Sequence, residues 1–136
     1  SLNIPGDSVS FDILSQVGIA TGPSKTFQGV DPLAGLQPTM VLATGASQSA
    51  GRLRSYINGV QPIANVYQGF LPTIDFGMGF GFDDFLLTGE AVAAGSGRRR
   101  FLRAKIRQDL KVPVFVVNSE TESMMYFPSH REDSAN

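Results

Sequence analysis

The stretch TMVLATGASQSAGRLRSYINGV, residues 39–60, restricts the fold more than any other part of the chain. TMVLAT (39–44) is apolar, bounded by Pro38 and Gly45, and too short for a helix. A buried parallel strand fits it best. From Ser47 onward Ala50, Leu53, Ile57 and Val60 recur three or four residues apart, and Asn58-Gly59 supplies a stop, so a helix is expected there. Strand and helix are thus joined around one serine. A turn that tight needs positive φ at the serine and small residues two before and two after it, because the two elements approach closely. Gly45 and Ser49 occupy those places, with Ala46 and Ala50 also small.

The remaining pattern is sparser. Pro5-Gly6 and an N-cap at Asp7 or Ser8 open a helix whose apolar face is expected at Val9, Ile13, Val17 and Ala20, with Phe11, Leu14 and Gly18 alongside. Gly22-Pro23 ends it, and residues 23–38 read as a connecting loop. ANVYQGFLPTI (64–74) predicts a second strand, and KVPVFVVNSE (111–120) a third and clearest one. Between them the glycine- and phenylalanine-rich residues 75–97 have no clean period and read as an insertion or lid. This order predicts an α/β fold with a parallel sheet. Three strands that need cover on both faces make a thin domain, so residues 1–136 are expected to form a single domain or the central fragment of one, an incomplete fold.

Composition narrows the class. The formal net charge is −1, which argues against a nucleic-acid-coating surface, and the absence of cysteine excludes disulfides and thiolate metal sites. No apolar run reaches the roughly 18 residues of a membrane span. The chain begins at Ser1 rather than methionine and is expected to be processed, trimmed or excerpted. That leaves its compartment open, with a soluble, processed or secreted product as the expectation.

Ser47 carries the sharpest chemical reading. At a strand-to-helix elbow it is a candidate nucleophile, with the N–H of Gln48 at the helix N-terminus as the donor to a developing oxyanion. The competing reading is a serine N-cap; in the G-x-S-x-G pattern Ser49 stands where the last glycine belongs. Glu120 and Glu122 lie just past the third strand, at the edge where catalytic groups collect in parallel sheets. Their order after Ser47 suits a Ser…Glu…His triad, against the alternative of solvated loop glutamates. The only histidine, His130, follows Glu122 by eight residues and reads as a surface side chain, so the base is missing.

Other look-alikes fail. TGPSKT lacks the glycines of a phosphate loop, and GMGFGF has alternate glycines without a preceding strand. Asp75, Asp83 and Asp84 match no calcium loop, and the six cations of RRRFLRAKIR (98–107) read as a solvated basic face rather than an anion site.

Three segments together resemble an alpha/beta hydrolase domain family: GDSVSFDILSQVG, DPLAGLQPTMVLATGASQSAGRLRSYINGVQPIANVYQGFL and LKVPVFVVNSETE. The resemblance covers most of the chain and is weakest across 75–97. It implies an α/β-hydrolase-like fold and a serine ester hydrolase working through an acyl-enzyme. Ser47 matches the nucleophile, Gln48 the oxyanion donor and Glu122 the acid, with Glu120 as its alternative. It implies no metal or organic cofactor, a small-molecule ester as substrate, and a histidine outside this chain. The remainder of the chain or a second polypeptide is therefore an expected partner. A non-catalytic binding or assembly module that keeps the elbow is the alternative.

Overall fold

The computed structural model describes residues 9–25, 28–82 and 104–125. Helix α1 spans Ser10–Thr21, strand β1 Leu42–Ala46, helix α2 Gln48–Gly59, the short helix α3 Gln61–Ala64, strand β2 Gly69–Thr73 and helix α4 Glu120–Met125. β1 and β2 pair in parallel, Leu42 opposite Gly69 through Ala46 opposite Thr73. Residues 113–117 lie on the other side of β2, so β2 is central in a parallel α/β arrangement.

The third strand is only partly formed, and Pro72 is the reason. Phe70 N–H donates to Pro113 O at 3.0 Å and Phe115 N–H to Phe70 O at 2.9 Å. Farther on, Val117 N–H donates to Pro72 O and Ile74 N–H to Val117 O, each at 3.0 Å. The bond between these pairs would need an N–H at position 72, which proline lacks. The continuous strand expected over 111–120 is therefore two isolated bridges, Phe70 with Val114 and Thr73 with Val117.

Both named strands are displaced from their expected bounds. β1 starts at Leu42, because Val41 N–H is taken by the Gln68 side chain at 2.7 Å. It runs on through Gly45, since Ser47 N–H still bonds Thr73 O at 3.1 Å. β2 begins only at Gly69, because Asn65, at φ 48°, closes α3.

α1 buries a different face from the one expected. Val9 holds the N-cap position, while Asp7 and Ser8 lie outside the described residues. Phe11, Ser15 and Gly18 are buried, whereas Ile13 is 45% and Val17 52% exposed. Close approach decides this. A Cβ on Gly18 would lie 2.5 Å from Val66 Cγ1, and Ser15 Oγ shares a 2.9 Å hydrogen bond with Tyr56 Oη. Tyr67 Oη donates to Leu14 O at 2.7 Å, tying the same face to the chain entering β2.

The core gathers Phe11, Ala43, Leu53, Tyr56, Ile57, Tyr67 and Phe70, with Val112 and Val114 packed against it. Tyr56, Tyr67 and Phe70 meet edge-on or tilted, with centroids 5.6 to 6.2 Å apart. Burial pushes the Tyr67 phenol up to about 12, and Tyr56 beside it adds to the shift.

This packing covers one side of the ladder. Ala43, Phe70 and Val114 face the helices, while Leu42, Leu71, Phe115 and Val117 are exposed, Phe115 at 69%. Among the described residues no helix is long and apolar enough to cross a membrane.

Candidate active site

Ser47 closes β1 and opens α2 with φ 57° and ψ −119°. For a residue with a Cβ that backbone costs on the order of 1–3 kcal/mol, and it persists only where the surroundings over-determine it. The surroundings are visible. Ser47 N–H is held by Thr73 O, and Ser47 O accepts from Gly51 N–H at 3.2 Å. A Cβ on Gly45 would sit 2.8 Å from Ser49 O and 2.9 Å from Ser49 C, so glycine alone lets strand and helix approach this closely. Ala50 is fully buried below the turn.

Ser47 occupies the N-cap position, yet its side chain makes no capping hydrogen bond. The hydroxyl is carried on an exposed residue at the helix N-terminus, beside exposed Gln48. Capping therefore does not explain this serine.

Glu122 sits at the same edge of the sheet, beyond the C-terminal end of 113–117. It is not in a loop: Glu120 and Glu122 lie in the first turn of α4. Glu120 is exposed, whereas Glu122 is 6% exposed. Its Oε2 accepts from Ser119 N–H at 2.8 Å and from Ser119 Oγ at 2.5 Å. The Ser119 hydroxyl and then its N–H hold the Glu122 carboxyl below the usual carboxylate range. The glutamate reaching back to the N-cap amide is half of a capping box, and S-x-x-E at 119–122 was the sequence signal for it.

A second carboxylate lies deeper. Asp75, two residues past the end of β2, is fully buried and paired with Arg54 of α2, itself 2% exposed. Arg54 Nε donates to Asp75 Oδ1 at 3.2 Å, and a guanidinium Nη donates to Oδ2. Gly77 N–H also donates to Oδ1, at 3.0 Å. Asp75 thus serves the guanidinium rather than a calcium loop; Asp83 and Asp84 lie outside the described residues. No local spacing announces a pair 21 residues apart.

Residues 76–82, the start of the expected insertion, are packed along α2. Ser55 Oγ donates to Phe80 O and accepts from Phe80 N–H, both at 2.7 Å. The Arg52 guanidinium lies 5.0 Å from the Phe80 ring and 5.8 Å from that of Phe11. The insertion beyond Phe82 and His130 lie outside the described residues. Of the basic stretch, Arg107 is engaged by Asp109 at 2.6 Å and by Asn58 O at 3.1 Å.

A cleft of about 160 Å³ opens between the end of α1 and residues 64–68, lined in part by Gly18, Gly22, Asn65 and Gln68. It lies at the N-terminal end of β2, opposite the edge that carries Ser47, and has no part in a site built there.

The family model described as an alpha/beta hydrolase domain matches residues 1–136. No curated protein and no solved structure matches the chain.

Proposed function

Because the chain belongs to this alpha/beta hydrolase domain family, we propose that it contributes the nucleophile and the acid of a serine ester hydrolase. One observation carries the reading: the Ser47 hydroxyl stands at a strained strand-to-helix turn without serving as a cap. In the proposed reaction Ser47 Oγ attacks the acyl carbon of a small-molecule ester, and a histidine from outside this chain takes its proton. The N–H of Gln48, at the positive end of α2, donates to the tetrahedral oxyanion. Glu122, with Glu120 as its alternative, orients the imidazole and stabilises the imidazolium. The imidazolium protonates the leaving alcohol, and water then releases the acyl group.

Further polypeptide belongs to this reading, from the same gene product or a partner. It would supply the histidine and cover Leu42, Leu71, Phe115 and Val117, since parallel sheets are stable with both faces buried.

The test is denaturing intact-mass spectrometry of the gene product that carries this chain, before and after a fluorophosphonate probe, with peptide mapping. A single adduct on Ser47 is expected, absent in Ser47→Ala and retained in His130→Ala. No adduct would sink the hydrolase reading. It would favour a non-catalytic binding or assembly module, which the engagement of Glu122 by Ser119 already suits.

A further inference from the structure

We propose that Asn118 is a positioning residue: by clamping the backbone of Asp75, it fixes the Ser119–Glu122 turn against the helix that Ser47 opens. The inference rests on the proposed roles of Ser47 and Glu122 and adds the device that sets one against the other.

Ser47 and Glu122 belong to segments separated by β2, so something must hold their turns in register at the C-terminal edge. The ladder between β2 and 113–117 ends at Ile74 N–H to Val117 O. Beyond that bond the Asn118 side chain takes over as a substitute for backbone. Its Oδ1 accepts from Asp75 N–H at 2.7 Å, and its Nδ2 donates to Asp75 O at 2.9 Å. The next residue is Ser119, whose N–H and hydroxyl hold Glu122.

The Asp75 end of the clamp is fixed more firmly. Its carboxylate is locked to Arg54, which lies about two turns along α2 from Ser47 and also donates to Ala104 O at 2.6 Å. A planar guanidinium in such a fork sets direction as well as distance. Ile74 holds φ 50°, a conformation rare for a β-branched residue, and it is the step that turns Asp75 away from the strand. Buried ion pairs are poor devices for stability alone, because apolar replacements often serve as well. This one runs from the Ser47 helix to the residue that Asn118 grips, and through Asn118 to the Glu122 turn.

A double-mutant cycle tests the idea, using Asn118→Ala, Glu122→Gln and both together in the labelling-competent gene product. The readout is the second-order rate of fluorophosphonate labelling at Ser47. Asn118→Ala should slow labelling by up to about 10²-fold, the scale for a misplacement near 1 Å. On the Glu122→Gln background it should cost nothing further, because its effect passes through Glu122. The acid limb of the pH–rate profile should move to lower pH in both single variants, since an imidazolium without its oriented carboxylate loses its proton more readily.

An equal loss on both backgrounds, or no loss at all, overturns the proposal. A Glu122→Gln protein that labels at the wild-type rate also overturns it, while leaving Ser47 as the nucleophile. A wild-type protein that does not label removes the hydrolase reading and this inference with it. Should Asn118→Ala fail to fold, Asn118→Asp keeps the acceptor for Asp75 N–H, loses the donor, and carries the same cycle with the same outcomes.

Discussion

One face of the β1–β2–(113–117) ladder packs Ala43, Phe70 and Val114 against α1 and α2, while the other leaves Leu42, Leu71, Phe115 and Val117 in solvent. In register, Phe115 stands beside Leu71, and Leu71 is paired with Thr44, so the exposed side chains form contiguous rows. Both faces carry large apolar groups, and their difference lies in what has been laid over them. A side chain's worth here is set by its cover, which makes the open face a gauge of whatever else assembles with the chain.

The largest effect belongs to the covered face. Phe70→Ala should cost about 3–5 kcal/mol in urea denaturation, as truncations of buried aromatics do. A cost under about 1 kcal/mol, within the range of exposed substitutions, would erase the distinction between the faces. Gly45→Ala comes next. Its new methyl would meet the Ser49 backbone at 2.8 Å, and about 1–3 kcal/mol should be lost on thermal melting. A neutral result would mean that α2 can lift away from β1.

The smallest effect is expected at Phe115→Ser in the isolated 136-residue chain, within about 0.5 kcal/mol. In the complete gene product the same change should approach the cost at Phe70, if further polypeptide covers that face. Equal, negligible costs in both settings would remove the proposed cover.

The parts of the fold legible in the sequence were those fixed by short-range chemistry. The spacing of Ala50, Leu53 and Ile57 gave α2, and Asn58-Gly59 marked its end at Gly59. Small residues around Ser47 announced a close turn, and the backbone there has positive φ. What failed were features decided across the sheet. Ile13 and Val17 are the more apolar choice for a buried stripe, yet a helix face bearing Ser15 and Gly18 comes closer to Tyr56 and Tyr67, and closeness won. The third strand has ample β propensity, but its continuity depended on an N–H missing from its neighbour. Glu122 lies just past that strand, as its sequence position implies, but its engagement by Ser119 is a local S-x-x-E feature that a reading of the strand alone passes over. Arg54 and Asp75 meet only after α2 and β2 have packed.

Pro72 has a consequence for how the sheet comes apart. β1 and β2 are joined by an unbroken row of amides, whereas 113–117 hangs from β2 by two separate pairs. In hydrogen-exchange terms the amides of Phe115 and Val117 are expected to open separately, each exchanging without waiting for the other. The strand leading to Glu122 can therefore breathe at one end while the ladder beneath Ser47 stays shut.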